Sequence, residues 1–582
     1  MKGDFARVTF DPTLHYSQVF QQQGRVLLEA DWNEQASIQL HLLRTMVRDL
    51  VGPCWAVGQG FSITTETHVT DWQLSAGHFY ADGILCVNDA MCTLSTQPYA
   101  PTSDDTIYGG NLVDPPDSFA LWIDVWERHL SAVEAPEISD TALNGVDTAS
   151  RAQVVWQARM LALDASHEGL QLDNATAALN VRLQAASSAA DQASINQQIT
   201  AIAQLRNSLG TPTAANGINI DPCATLRQIF GARATYAWPA MSAQLGPVES
   251  DSDPCVIAAD ARYRGCENQL YRVEVHQGGL ASTATAAAAS IKWSREDGSV
   301  VFPVLTAPST AQSDGSTQIA VTLANLGRDQ RLGLAVNDWV ELVDDDYTLA
   351  QLALPLLQVI AIDVANCIVT LTVPKNIAPY AINTSAQMHP LLRRWDQSVA
   401  VSAQGTVALV EGTSIDLEDG IQISFVPGGL YATGDYWLIP ARVAGNGTLD
   451  WPQVAGAAAA LKSRGMHHYV VLGVTNANDG FTECCCRFDS LCALIRSGAN
   501  QAGVISAPSA SPQPAPVLVP APTPAIKTAP VATNAVKTAK ATPVAKKTAK
   551  TTPAVKKAAK TVKAAPVAKK AVKKLKKGKG GS

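Results

Sequence analysis

The apolar residues of the chain follow two different spacings, and the change between them predicts where the fold changes. From Ser17 to about Leu50, apolar residues recur at roughly helical spacing. They are Val19, Val26, Leu27, Ala30, Leu40, Leu43 and Met46. Ser17 is a candidate N-cap, and Gly52-Pro53 is a stop signal. The pattern predicts an extended lead-in followed by one N-terminal helix.

From Phe61 onward, short segments rich in Val, Ile, Thr and aromatic residues are separated by Gly, Asn and Asp, which is typical of β-structure. Residues 369–373 and 421–425 alternate strictly between apolar and polar side chains, so each strand should bury one face. Asp297-Gly298 predicts a hairpin turn between the segments KWSRE and SVVFPV. These signals favour a mainly β, multi-module protein.

Residues 168–210 interrupt the β pattern with a segment rich in Ala, Gln, Leu and Ile. Four of its apolar residues have spacings typical of a coiled-coil seam: Ile195, Ile199, Ile202 and Leu209. The segment predicts a helical, coiled-coil-like insertion. Two interpretations stay open: a local helical hairpin that packs on its neighbours, or a surface for self-association or for another protein.

After about Ser497 the sequence consists mainly of Ala, Pro, Val, Thr and Lys without aromatic residues, and such a segment cannot bury enough apolar surface to order itself. We therefore expect a disordered C-terminal tail. The predicted organisation is an extended lead-in and helix (1–55), a first β module (56–165), a helical insertion and linker (166–249), a second β module (250–390), a third β module (391–497) and a Pro/Ala/Lys-rich cationic tail (498–582).

Charge is divided unevenly between the body and this tail. The chain has a formal net charge of −7, yet residues 501–582 contain 17 of its 44 basic residues, all Lys, and none of its 51 acidic residues. A flexible Lys-rich segment can neutralise phosphates without reading bases. The candidate polyanion-binding residues are Lys546, Lys547, Lys556, Lys557, Lys569, Lys570, Lys573, Lys574, Lys576, Lys577 and Lys579. DNA, RNA, an anionic membrane and the protein's own acidic body remain alternative partners.

The first ten residues carry charges at Lys2, Asp4 and Arg7 and contain no long apolar run, so we expect no secretory signal. We therefore predict assembly in the cytoplasm, with an extracellular location left open. The apolar stretch 352–373 is interrupted by polar residues and predicts two strands rather than a membrane span. Eleven Cys argue against a disulfide scaffold and fit a reducing compartment, although isolated pairs stay open.

The search for chemistry is mostly negative. The sequence has no phosphate-binding loop, dinucleotide fingerprint, nucleophile elbow or zinc-protease helix, so we expect neither an enzyme nor a cofactor. The weak metal candidates are His467, His468, Cys484, Cys486 and Cys492. They lack the Cys-x-x-Cys spacing of a zinc knuckle, and in a strand Cys484 and Cys486 face away from Cys485. Buried structural thiols are the favoured interpretation, and no metal is expected.

Several sequence blocks, in order, resemble a known family. The N-terminal blocks are MKGDF at 1–5, TFD at 9–11, HYS at 15–17 and QQGRVLLEADWNEQ at 22–35. The later blocks are WERHL at 126–130, VDTASRAQVVWQ at 146–157, YRGCENQLYRVEVHQGG at 263–279, KWSREDGSV at 292–300, NDWVELVDDD at 337–346, LEDGIQISF at 417–425, GDYWLIPAR at 434–442 and HHY at 467–469. Together they closely resemble an uncharacterised bacterial domain family over most of residues 1–495, with 168–210 as an insertion and the tail outside.

Members of that family are encoded in gene clusters for contractile phage-tail-like particles, the extracellular contractile injection systems. The resemblance implies a structural or accessory part of such a particle, at the periphery of the baseplate, in a fibre or near the spike, with other particle proteins as partners. It implies no reaction. Two alternatives stay open: a payload carried by the particle whose tail binds nucleic acid, and a carbohydrate-binding or adhesive β-protein.

Overall fold

The computed structural model describes residues 2–64, 72–101, 119–144, 146–162, 165–208, 222–246, 262–281, 288–375, 377–476 and 480–488. The chain divides into two units, Met1–Ile505 and Ser506–Ser582, and the second unit lies wholly outside the described residues. Within the described part the protein is mainly β and multi-sheet, which confirms the predicted fold class. The predicted disorder of the tail falls outside the described residues.

The described part of the chain contains both α-helices and short 3₁₀ turns. The α-helices are α1 (Glu29–Val51), α2 (Ala165–Ala185), α3 (Ala189–Ser208), α4 (Pro222–Tyr236) and the short α5 (Asp345–Leu349). Single 3₁₀ turns occur at Pro12–Leu14, Pro136–Ile138, Thr141–Leu143, Ala386–Met388 and Ala444–Asn446. None of the described helices has the length and apolar character needed to cross a membrane.

The strands are short and numerous. The first fifteen are β1 (Cys54–Val57), β2 (Ile63–Thr64), β3 (Gln73–Leu74), β4 (Gly77–Ala81), β5 (Ile84–Asn88), β6 (Cys92–Thr93), β7 (Phe119–Leu130), β8 (Arg151–Ala162), β9 (Ala240–Leu245), β10 (Gln269–Gln277), β11 (Gly279–Leu280), β12 (Ser290–Ser294), β13 (Val301–Thr306), β14 (Ser309–Ala311) and β15 (Thr317–Leu323). The others are β16 (Trp339–Val343), β17 (Leu357–Asp363), β18 (Ile368–Val373), β19 (Leu391–Trp395), β20 (Val407–Ala408), β21 (Ser414–Asp416), β22 (Ile421–Phe425), β23 (Leu430–Tyr431), β24 (Tyr436–Arg442), β25 (Thr448–Leu449), β26 (Gln453–Val454), β27 (Ala457–Ala458), β28 (Leu461–Lys462), β29 (His468–Asn476), β30 (Gly480–Glu483) and β31 (Cys486–Phe488).

Strand pairing joins distant parts of the chain. The sheets run β31-β1-β4-β5, β30-β29-β7-β8, β20-β12-β10-β24-β25, β21-β22-β9-β28 and β2-β3-β6, with two-stranded pairs β11-β23 and β26-β27. The order β13-β19-β16-β17-β18-β15-β14 closes on itself because β13 also pairs with β15. Sheets therefore cross the module boundaries that the sequence predicted: β7 pairs with β29, and β10 pairs with β24.

The alternating segments confirm the predicted one-sided strands. In β18 and β22 every second residue is buried, and the apolar side chains face the cores. The hairpin predicted at Asp297-Gly298 is wrong. Both residues have positive φ, 49° and 66°, as such a turn requires, but β12 and β13 on either side belong to different sheets. The turn passes the chain from one sheet to the next.

The N-terminal helix ends as predicted but begins later. Its last residue is Val51, and Gly52, with φ of 93°, donates its N–H to the carbonyl of Arg48. Residues 17–28 are not helical, so Ser17 is not the N-cap. The helix starts after Leu28, where Glu29 and Asp31 place negative charge in the first turn. Apolar spacing continued across this boundary, which is why the pattern suggested an earlier start.

The predicted helical insertion is present as α2 and α3, and α4 lies in the segment that the sequence had treated as linker. Ile202 is buried, and Ile195 and Ile199 are partly buried, in one core with Leu172 of α2 and Phe230 of α4. This packing supports the local interpretation of the seam. Leu209 lies outside the described residues.

Two disulfide bonds correct the expectation of reduced structural thiols. Cys54 bonds to Cys485, and Cys223 bonds to Cys484, with Cα atoms 5.5 and 5.3 Å apart. Neighbouring residues in extended chain point to opposite sides. Cys485 therefore reaches β1, while Cys484 reaches the start of α4.

Candidate functional site

Six charged side chains, called here the buried charge cluster, meet where β10 and β12 approach β16 and β19. They are Lys2, Arg272, Glu274, Lys292, Asp297 and Glu341. The strands β10, β12 and β16 supply four of them, the turn after β12 supplies Asp297, and the N-terminal segment supplies Lys2. Three are cations and three are carboxylates, so their formal charges balance.

Lys292 and Glu341 form the most direct pair of the cluster. The Lys292 Nζ lies 2.6 Å from Glu341 Oε1 and 3.5 Å from Glu274 Oε1. The same Glu274 oxygen lies 3.1 Å from the Nζ of Lys2. A single carboxylate of β10 is therefore shared by an ammonium group from the N-terminus and one from β12.

Arg272 connects the strand to the turn. Its Nε donates to Glu274 Oε2 at 2.6 Å, and its Nη1 donates to Asp297 Oδ1 at 3.2 Å. The other carboxylate oxygen of Asp297 accepts the backbone N–H of Gly3 at 3.3 Å. The ring of Tyr436 lies under the guanidinium, 3.7 Å from its centre. The turn thus holds the N-terminal segment and the arginine together.

Gly3 of the N-terminal segment is tightly packed beside the buried charge cluster. A Cβ atom added there would lie 2.7 Å from the ring of Phe5 and 3.3 Å from Nε2 of His129. The Phe5 and His129 rings meet edge to face, with centroids 6.1 Å apart. Because β7 carries His129, the first residues of the chain link the sheet of β7 to the buried charge cluster.

Aromatic side chains enclose the Lys292–Glu341 pair. Trp395 donates its Nε1–H to Glu341 Oε2 at 3.1 Å, and Tyr347 donates its hydroxyl to Glu341 Oε1 at 3.0 Å. The ammonium groups of Lys292 and Lys2 lie 4.5 and 5.6 Å from the centroid of the Trp395 ring. Both oxygens of Glu341 therefore have partners away from water.

Burial and the neighbouring charges shift the pKa values of residues in the cluster. Burial acts to raise the pKa of Glu341, but the ammonium groups of Lys292 and Lys2 outweigh it and lower that pKa to about 2. For Glu274, burial is likewise outweighed by Lys2, Arg272 and Lys292, and its pKa lies well below the ordinary value. Burial is the main reason that the pKa of Lys2 falls to about 8. These carboxylates are ionised at neutral pH and serve as fixed counter-charges.

A surface cavity of about 560 Å³ lies next to the N-terminal segment. Its lining includes Asp4, Arg7, Glu296, Arg331 and Arg442. Two of these arginines are engaged by the protein itself: Arg331 donates to Glu296 at 2.8 Å, and Arg442 donates to the carbonyl of Ala6 at 2.7 Å. The cavity is therefore lined by polar side chains, and these two arginines already bind groups of the protein itself.

The two histidines predicted as weak metal candidates each face a different carboxylate. His467 Nδ1 lies 2.7 Å from Asp124 Oδ1, and His468 Nδ1 lies 2.7 Å from Asp82 Oδ2. The ring of Trp126 stacks on His467 with centroids 5.0 Å apart. Asp124 is further contacted by Arg159 and Gln351. The His467–Asp124 pair joins the segment just before β29 to β7.

The cysteine candidates do not join these histidines. Cys484 is in a disulfide bond, Cys486 is exposed, and Cys492 lies outside the described residues. Over the described ranges, no three His, Cys, Asp or Glu side chains are grouped so that they could hold a metal ion. The candidate polyanion-binding lysines from Lys546 to Lys579 also lie outside the described residues.

Comparison with known proteins gives the family. A model described as a family of unknown function, DUF6519, matches residues 1–558. The chain belongs to this family. The match runs through residues 168–210 and past residue 495. No curated protein matches. A solved structure titled "Crystal structure of TssK" is 8% identical over 70% of this chain and 99% of that chain, with a TM-score of 0.12, which is too low to carry an argument.

In this DUF6519 chain four of the twelve sequence blocks supply residues of the buried charge cluster. MKGDF supplies Lys2, the block at 263–279 supplies Arg272 and Glu274, the block at 292–300 supplies Lys292 and Asp297, and NDWVELVDDD supplies Glu341. The sequence pattern alone did not identify these residues as a cluster. The available signal was charge inside strand-like segments, as in the alternation of Arg272 and Glu274 between Tyr271, Val273 and Val275.

Proposed function

We propose that this protein is a structural component of a contractile phage-tail-like injection particle, located at the periphery of the baseplate or in a fibre-like or spike-associated part. The observation that carries the proposal is the convergence of four family blocks on the buried charge cluster. Each charge of the cluster is paired within the fold, and this supports a structural role in which the pairs fix which segments come together. The location within a particle rests on the family resemblance, which is an argument by association.

The same observation supports a role without catalysis or cofactor. Each carboxylate of the cluster is paired with at least one cation. Glu341 also accepts hydrogen bonds from Trp395 and Tyr347, and Asp297 accepts one from the backbone of Gly3, at distances of 3.0 to 3.3 Å. A general acid or base needs a pKa near the working pH. Glu341, with its pKa near 2, does not meet that condition.

We further propose that the Lys-rich tail binds polyanions or tethers the protein. The support is its composition, 17 Lys without any acidic residue in 501–582. Without Arg or aromatic residues, its binding to duplex DNA should be nearly independent of base sequence and should weaken steeply with salt. Fluorescence anisotropy with two unrelated duplexes and with anionic vesicles tests this, using the full chain, residues 1–500 and a variant in which Lys569, Lys570, Lys573, Lys574, Lys576, Lys577 and Lys579 are changed to Gln.

Equal affinity of the full and truncated chains for every polyanion at low salt would contradict binding through the tail. A preference for vesicles would indicate surface anchoring, whereas a preference for DNA would favour the alternative of a payload with a nucleic-acid-binding tail.

The particle assignment is tested by purifying sheathed particles from cells that express a tagged chain. We expect the protein to co-sediment with intact particles and to be reachable by an antibody on their surface. Deleting its gene should leave sheath and tube but change the baseplate region in electron micrographs. Recovery only from the particle lumen would favour a payload, and recovery only as free protein would refute the assignment. Glycan-array binding by residues 1–495 would favour the adhesive alternative.

A further inference from the structure

The helix α1 carries an uncharged and mostly apolar stripe on the side that faces away from the body. Its members follow alternating steps of four and three residues: Trp32, Ala36, Gln39, Leu43, Met46 and Leu50. Such spacing keeps all six on one face of a helix and defines the seam of a coiled coil. Relative exposures are 76% for Trp32 and Leu50 and 53% for Leu43 and Met46.

The opposite face of α1 is the one that contacts the protein. Ala30 and Ile38 are its buried residues, and Arg44 donates through two nitrogens to Glu127 at 2.9 and 2.8 Å. The helix backbone also lies close to the turn between β4 and β5, where a Cβ on Gly83 would lie 2.2 Å from the carbonyl of Arg44. The helix is therefore fixed in rotation, and the stripe is held toward solvent.

The lead-in segment reinforces this orientation. Ala6 donates its N–H to Glu29 at 2.9 Å, Thr9 donates to Glu34 at 2.5 Å, and Val19 donates to Gln35 at 2.7 Å. These acceptors lie beside or opposite the stripe. The chain before α1 thus covers the polar side of the helix and leaves the apolar side open.

We propose that the stripe of α1 pairs with the same stripe of a second copy of this chain, as an antiparallel two-helix seam. In an antiparallel pair whose centre lies at position 41, each layer joins residues whose numbers add to 82. Trp32 then meets Leu50, Ala36 meets Met46, and Gln39 meets Leu43. A large side chain faces a smaller one in two of these layers, Trp32 against Leu50 and Met46 against Ala36, while Gln39 and Leu43 are similar in size. A parallel pair would instead oppose Trp32 to Trp32 and Ala36 to Ala36.

Charge and the flanking residues fit the same arrangement. The stripe contains no charged residue, so a polyanion or the Lys-rich tail has no counter-charge there. Beside the seam, Asp49 would face the side-chain amide of Gln35 in the other copy. The two Asp49 carboxylates would therefore not lie opposite each other. Leu40 and Leu42, which are 41% and 52% exposed, would each lie opposite their own equivalents across the twofold axis. The seam is self-complementary in charge as well as in size.

The stripe is smaller than the interface of a typical stable dimer. A helix of 23 residues is about 34 Å long and about 10 Å wide, so its face projects roughly 340 Å². Stable interfaces bury about 800 Å² on each partner. We therefore expect a dimer with a dissociation constant in the micromolar range, between about 1 and 100 μM. The inference does not depend on the proposed particle assignment.

Light scattering coupled to gel filtration of the full chain tests the pairing. The mass should rise from 61.4 kDa toward twice that value as concentration increases to about 100 μM. Leu43→Glu should weaken dimerisation by about 100-fold or more, because both copies lose an apolar contact and place a charge in the seam. Leu305→Glu is the matched control, since Leu305 is 54% exposed on β13, and it should dimerise like the unchanged protein.

Cysteine cross-linking tests the direction of pairing. Under mild oxidation, Leu40→Cys and Leu42→Cys should each give a covalent dimer, whereas Leu50→Cys should stay at the background set by exposed Cys266 and Cys486. Circular dichroism confirms that each variant is folded. A monomeric mass at about 100 μM, a dimer that survives Leu43→Glu, or cross-linking of Leu50→Cys in place of Leu40→Cys would each overturn the proposal.

Discussion

Replacing Glu341 with Gln removes one charge from the buried charge cluster at nearly constant volume. The Lys292 ammonium, 2.6 Å away, then loses its closest carboxylate while remaining buried. The amide of the new side chain has one acceptor oxygen where the carboxylate has two, so Trp395 and Tyr347 compete for it. We expect a folded but clearly less stable protein.

The expected loss of stability in Glu341→Gln follows from the pKa of Glu341. Burial acts to raise this pKa, but Lys292 and Lys2 outweigh burial and lower the pKa from 4.5 to about 2. A pKa lowered this far corresponds to about 3 kcal/mol of stability at pH 7. Breaking a buried ion pair from one side typically costs about 3–5 kcal/mol. The two values agree.

The sign of the pH dependence is set by the same pKa. A carboxylate whose pKa is lower in the folded than in the unfolded state stabilises fully above about pH 4.5, and that contribution is lost as the pH falls toward 2. The difference between the unchanged protein and Glu341→Gln should therefore shrink to roughly half at pH 3. Urea unfolding followed by tryptophan fluorescence at pH 7 and pH 3 measures it.

Glu267→Gln is the control for this experiment. Glu267 pairs with Arg331 at 2.5 Å, but both side chains are 40% exposed, so its loss should cost less than about 1 kcal/mol. The reasoning would be refuted if Glu341→Gln unfolded within about 0.5 kcal/mol of the unchanged protein, or if both variants behaved alike.

Three further predictions follow from the cysteines, the histidines and the tail. Cys54→Ala should lower the free energy of unfolding in urea by about 2–5 kcal/mol, because the bond to Cys485 closes a loop with a sequence separation of 431. Alkylation of Cys54 and Cys485 in the unchanged protein without a reductant would show that the bond is absent. His467→Ala combined with His468→Ala should leave zinc at background in elemental analysis, and near-stoichiometric zinc in the unchanged protein that is lost in the variant would reverse this expectation. Limited trypsin digestion should remove the Lys-rich tail and leave a stable body of roughly 500 residues, whereas a resistant tail would contradict its predicted disorder.

Features that depend on neighbouring residues could be read from the sequence. The end of α1 at Val51 follows from the Gly52-Pro53 stop, and the one-sided strands β18 and β22 follow from alternation with a period of two. The helices of the insertion follow from their apolar spacing. In each case the local spacing of side chains and the turn residues carry the information, because they act over a few residues of chain.

Features that depend on distant residues were decided by the tertiary structure. Helical periodicity placed Leu43 and Met46 on one face of α1, but only packing shows that this face points to solvent. Consecutive Cys484 and Cys485 are obvious in the sequence, yet their partners lie 261 and 431 residues away. Likewise, Lys2 and Glu341 belong to one cluster because Lys292 of β12, in one sheet, pairs with Glu341 of β16, in another. Burial and pairing are properties of distance in space, which spacing along a chain does not encode.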